Sequence, residues 1–76
     1  MQKRLSEISA GERVRITSFE EDEIVLKLME MGCLPGEIIS VEKIAPLGDP
    51  ISILVSGYHL SLRIDEASKI FVEELL

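Results

Sequence analysis

The sequence predicts a mainly β fold, a small SH3-like barrel of five strands with one α-helix inserted between the first and second strands. Three observations carry this expectation. The chain has 76 residues, enough for one small domain in which only about 60% of the unfolded surface becomes buried. Most of its apolar side chains sit in short, β-branched, roughly alternating runs, the period of half-buried strands. A single stretch, ending at Met31, has helical spacing instead.

The elements follow in order. Leu5 and Ile8 share a face of a short opening turn that Gly11 ends. In "RVRIT", Val14 and Ile16 point one way and Arg13, Arg15 and Thr17 the other, which predicts a half-buried strand. In "SFEEDEIVLKLMEMG", Ile24, Val25, Leu28, Met29 and Met31 recur near helical spacing, and Gly32 stands where a left-handed C-terminal cap belongs. The helix is expected from about Asp22 to Met31, with Ile24, Val25 and Leu28 as its buried stripe. Glu20 to Glu23 suit the positive end of the helix dipole, and Lys27 is placed to pair with Glu23. Ser18 with Glu21 fits a capping box, with a start at Asp22 as the alternative.

Beyond Leu34 the period changes. "EIISVEKI" reads as the second strand, "PLGDP" as a turn, and "ISILVSGYHLSLR" as two strands around Ser56-Gly57. Tyr58, Leu60 and Leu62 share one face of the latter strand, with His59, Ser61 and Arg63 opposite. A helical turn from Asp65 and a closing strand, "IFVEEL", complete the series. No repeat or linker divides the chain, so residues 1–76 are expected to form one domain.

Composition excludes several function classes. Eight Lys and Arg against fourteen Asp and Glu give a net charge of −6, which repels phosphate backbones and argues against a nucleic-acid partner. Phe19, Phe71 and Tyr58 are the only aromatics, too few for a base-stacking platform. Cys33 is the only cysteine, so no disulfide forms within the chain, and a reducing cytoplasm is expected. The charged start meets Ser6 and Glu7 instead of an apolar run, and no apolar stretch reaches the roughly 20 residues of a membrane span.

Residues 28–70 carry a family likeness. A Leu-x-x-Met-Gly-x-x-Pro-Gly corner from Leu28 to Gly36, a "PLGDPI" turn from Pro46 to Ile51, and "LSLR" from Leu60 to Arg63, followed by Glu66-Ala67, occur in that order. Together with the upstream "RLSEISAGERVRI", they resemble the FeoA family of small SH3-like cytoplasmic proteins. The resemblance implies an accessory or regulatory role in bacterial ferrous iron uptake, through binding to the cytoplasmic part of the FeoB transporter. It also implies peripheral association with the membrane through that transporter. A similar domain forms the C-terminal part of some metal-dependent transcriptional repressors, so a regulatory SH3-like domain is the alternative. No helix-turn-helix precedes the domain in this sequence, which favours the uptake reading.

The residues themselves point to binding, not catalysis. Cys33 and His59 are the only Cys and His in the chain, whereas a structural zinc site normally takes four such ligands. No metal site and no cofactor are expected, the fallback being Cys33 and His59 bridging a dimer. No nucleophile, base and cavity form a recognisable set, and the glycines form no phosphate loop followed by Lys-Ser or Lys-Thr, so an enzyme is not expected. If the pathway uses GTP, another chain binds it. The expected partner surface is the corner of Met29, Met31, Leu34 and Pro35, where flexible thioethers and a rigid proline suit protein recognition, with Arg63 at its rim. Self-association, if any, is expected to be weak.

Overall fold

The computed structural model describes residues 2–75. Nine short elements follow one another: β1 (Lys3–Arg4), a 3-10 turn (Leu5–Glu7), β2 (Arg13–Phe19), α1 (Ile24–Glu30), β3 (Ile38–Ile44), β4 (Ile51–Val55), β5 (Tyr58–Leu62), α2 (Ile64–Ala67) and β6 (Ile70–Glu74). The six strands form one antiparallel sheet in the order β1-β6-β2-β3-β4-β5. The five expected strands are present, and the helix is inserted between β2 and β3 as expected. The strand that alternation did not disclose is β1, two residues that pair Lys3 with Val72 and Arg4 with Phe71.

Two bulges curl the sheet. The β2–β6 register shifts between Ile16 and Ser18, and the β3–β4 register shifts between Val41 and Lys43. An extra residue in one strand bends it and increases its twist, so a six-stranded sheet closes over its own inner face. That face is aliphatic: Val14, Ile16, Ile39, Val41, Ile51, Ile53, Val55, Leu62, Ile70 and Val72 are all buried. Leu5 and Ile8 from the opening turn, Leu28 from α1, Cys33 and Ala67 complete the same cluster. At Thr17 the bulge also reverses the in–out alternation. Ser18 is exposed, and Phe19 packs against the core in its place.

The helix start differs from expectation. Ser18 lies in β2, so the Ser18–Glu21 capping box does not form. The helix begins at Ile24, whose N–H donates to Asp22 Oδ1 at 3.0 Å. An Asp side chain thus satisfies one of the donors that a helix start leaves open. Lys27 makes no ion pair with Glu23 among the described residues. Leu28 is the fully buried member of the expected stripe, Ile24 packs beside the core, Val25 is half-buried, and Leu26 is exposed.

Candidate docking site

The corner after α1 is built by two turns in succession. Gly32 has φ +105°, and its N–H donates to Met29 O, while the N–H of Cys33 donates to Leu28 O. This is the paired-bond ending in which the second residue past the cap contacts the helix's last turn. That contact is Cys33 against the region of Leu28, both fully buried. Next, Glu37 N–H donates to Leu34 O at 3.0 Å, closing a turn with Pro35 and Gly36 at its centre and φ +93° at Gly36. Proline followed by a positive-φ glycine is the signature of a type II turn. Gly36 N–H also donates to Ile16 O, and Ile16 N–H to Glu37 O, so the corner is fastened to β2. Its backbone groups face the sheet, and Leu34 and Pro35 remain on the surface.

The same geometry fixes the role of Cys33. Its thiol is fully buried, and desolvation pushes its pKa up to about 11. A thiol held protonated by apolar surroundings is neither a nucleophile nor a ready metal ligand. The dimer-bridging fallback with His59 therefore loses its sulfur, since Cys33 belongs to the helix ending and does not reach the surface. His59, by contrast, is exposed on β5, with Nδ1 2.7 Å from Glu42 Oε1. No group of three or more His, Cys, Asp or Glu is placed to hold a metal ion among the described residues.

The expected docking residues divide between two places. Met31 and Arg63 line one cavity of about 370 Å³, which lies between the end of α1, the β3–β4 turn and the end of β5. Lys27, Ser61 and Pro50 are in its wall, together with Asp49 and Glu66. Leu34 and Pro35 sit on the neighbouring turn, and Met29 is half-buried on the helix; none of these three lines the cavity. Both carboxylates in the wall are engaged by backbone. Asp49 Oδ1 accepts the N–H of Ile64 at 3.0 Å, and Glu66 Oε1 accepts the N–H of Arg63 at 2.8 Å. Lys27 and Arg63 make no ion pair among the described residues. Sequence reasoning missed Lys27 and Ser61. The usable signal for Lys27 was its position one turn before Met31, on the same helical face.

A cluster of charges ties β1 to the segments that precede α1 and β6. Arg4 Nη1 lies 2.5 Å from Glu20 Oε1 and 2.6 Å from Ser68 O, with its guanidinium 4.8 Å from the Phe71 ring centroid. Lys69 Nζ reaches Glu20 at 3.2 Å and Asp22 at 3.5 Å. The hydrogen bond from Arg4, then that from Lys69, holds the Glu20 carboxyl below its ordinary value.

Comparison with known proteins fits this architecture. The family model described as the FeoA domain matches residues 3–74. A Porphyromonas gingivalis protein described as an Fe(2+) transport protein A/Fe(2+) transporter FeoB fusion is 39% identical over 71 residues, 92% of this chain and 8% of that protein. The chain therefore spans a small part of that relative. The structure of a FeoA-like protein from Clostridium acetobutylicum superposes with a TM-score of 0.94 at 39% identity, covering 99% of this chain and 88% of the other. The zinc complex of Stenotrophomonas maltophilia FeoA superposes at 0.83 with 28% identity, over 93% and 89% of the two chains. It is described as an SH3 domain protein and a candidate activating factor of ferrous iron transport. A manganese-dependent transcriptional repressor shares the fold at a TM-score of 0.87, with 14% identity, over 97% of this chain and 42% of its own. With the family model matched across nearly the whole SH3-like barrel, this chain belongs to the FeoA family.

Proposed function

We propose that this protein is an accessory or regulatory component of bacterial ferrous iron uptake that binds the cytoplasmic part of a FeoB-like transporter. The observation that supports the reading most is the Porphyromonas gingivalis fusion, where a similar segment shares one chain with the transporter. Evolution joins two chains most readily when their function already brings them together. The protein acts in the cytoplasm by binding instead of by catalysis, and any contact with the membrane runs through the transporter. No helix among the described residues is long and apolar enough to cross a membrane. The repressor reading rests on similar domains that make up less than half of the regulators in which they occur.

Docking uses the corner and its surroundings: Met29, Met31, Leu34 and Pro35 supply apolar contact, and Arg63 adds charge at the rim. The test is co-purification with the transporter, with and without guanine nucleotide. Wild-type protein retained on the transporter supports the reading, and failure with the whole transporter in both nucleotide conditions removes it. A Met29→Asp, Leu34→Asp double variant that keeps a native-like NMR spectrum should lose this retention. Full retention would exclude the corner.

A further inference from the structure

The sheet has two edges, and only one is protected. Natural sheets blunt their edges with very short strands, bulges, proline or edge lysines. The β1 edge is two residues long. The β5 edge runs five residues, Tyr58-His59-Leu60-Ser61-Leu62, with no proline or lysine and no register shift against β4.

The direction of its free backbone groups follows from the hairpin. Ser56 and Gly57 both have positive φ, 51° and 79°, as a two-residue type I′ turn requires. Such a turn closes on a hydrogen-bonded pair, here Val55 and Tyr58, and pairs then alternate along the ladder. Leu60 and Leu62 therefore bond to β4, while the N–H and C=O groups of His59 and Ser61 point away from it. Neither residue's backbone makes any other hydrogen bond among the described residues. Both residues are exposed.

The surroundings of this edge are chemically biased. Two hollows meet at Ser61: the 370 Å³ cavity toward Arg63, and an open one of about 450 Å³ toward His59 that Lys43 also lines. Lys3, Arg4, Arg15 and Lys69 are in ion pairs with carboxylates. Arg13, Lys27, Lys43 and Arg63 are in none among the described residues. Three of these four unpaired cations border the hollows beside β5, although the chain's net charge is −6. Three carboxylates line the same hollows and equal these cations in number, but each is turned to a partner within the chain: Asp49 and Glu66 to backbone N–H groups, and Glu42 to His59.

We propose that β5 is a strand-addition site that takes an extended, acidic segment of another protein. Main-chain hydrogen bonds to His59 and Ser61 would hold it, with its carboxylates near Lys27, Lys43 and Arg63. Strand addition draws affinity from the backbone and specificity from the hollows that receive side chains. A second copy of this chain is a poor occupant, because pairing β5 with β5 about a twofold axis brings the same cations toward one another. The proposal concerns the chemistry of the segment and stands apart from which protein carries it.

The experiment selects short random peptides displayed on phage against the intact wild-type protein, with no transporter present, and follows the winners by NMR. Enriched peptides should be acidic, and their binding should protect the His59 and Ser61 amides from exchange. Ser61→Pro removes an outward N–H and no hydrogen bond to β4, so a folded Ser61→Pro variant should bind them weaker by on the order of tenfold or more, whereas Ser61→Ala should not. Lys27→Glu with Arg63→Glu should abolish the acidic preference. If Ser61→Pro does not fold, protection of the two amides in the wild-type complex decides. Absence of enriched peptides, enrichment without acidic character, unprotected amides, or self-association through β5 would each overturn the proposal.

Discussion

At the β1 edge, Lys3 and Arg4 reach across to β6, and their side chains end on Glu74 and Glu20. At the β5 edge, five residues run straight, and the cations nearest to it end on no carboxylate among the described residues. The contrast lies in what each side must accomplish. The β1 side joins segments distant in sequence: Arg4 to the chain at Glu20 and Ser68, and Lys69 to Glu20 and Asp22. These pairs are partly exposed, and exposed ion pairs contribute little each. Their use is to fix where the two ends of the domain lie. The β5 side is held from within by Leu60 and Leu62, so its outer surface is released from structural duty. If this division is right, damage to the inner face of β5 should be severe, damage to the corner intermediate, and damage to the ion pairs slight.

The largest effect is expected from Leu62→Ala. Leu62 is fully buried at the end of β5 opposite Ile51. Truncating such a side chain costs about 2 to 5 kcal/mol, the loss of transfer free energy plus an unfilled cavity. In a domain this small that is a large share of the total stability. Denaturant unfolding followed by circular dichroism measures it, and an unchanged midpoint would show that β5 does not depend on its inner face.

Gly36→Val comes next. No atom lies within 4 Å of a Cβ built at Gly36, so space is not the difficulty. The difficulty is φ +93°, which a β-branched residue resists at a cost on the order of 1 to 3 kcal/mol. Gly36→Asn separates the two causes, because asparagine tolerates positive φ better. It should unfold at a midpoint between those of wild type and Gly36→Val. Equal losses in both variants would point to something other than backbone conformation at the corner.

The ranking also explains which parts of the molecule were legible in the sequence. The corner was readable because Gly32, Pro35 and Gly36 each have one conformational use at their position. The β4–β5 hairpin was readable for the same reason, with Ser56-Gly57 between two alternating runs. Strand β1 was not, since Lys3 and Arg4 are too few to show a period and are a strand only because β6 returns beside them. The helix start was misplaced by the bulge at Thr17. It extends β2 through Phe19, so Ser18, which local chemistry offers as a cap, is held in the sheet. Of the docking residues, Met31 and Arg63 are brought to one cavity by the fold, but no spacing rule connects residues 31 and 63. The open edge of β5 was hidden likewise, because strand order is a property of the whole sheet.

The smallest effect is expected at the ion pairs, and it should depend on pH. Glu20, Asp22 and Glu74 all have their carboxyl pKa lowered: Glu20 chiefly by its hydrogen bond from Arg4, Asp22 by that from Ile24 N–H, and Glu74 by that from Lys3. A carboxyl whose pKa is lower folded than unfolded gives stability that is present above its unfolded value, ordinarily 4.5 for Glu20. That stability is lost as pH falls through the folded value, because the unfolded chain then binds protons first. Wild-type protein should therefore lose stability between about pH 6 and about pH 3, while Glu20→Gln, already lacking the charge, should lose less over the same range. Near neutral pH the variant should unfold only slightly earlier than wild type, since these pairs face solvent and are screened. Paired urea titrations at the two pH values measure both quantities. A loss at neutral pH as large as that of Leu62→Ala would show that the Arg4–Glu20–Lys69 cluster holds the barrel closed, and the division between the two edges would fail.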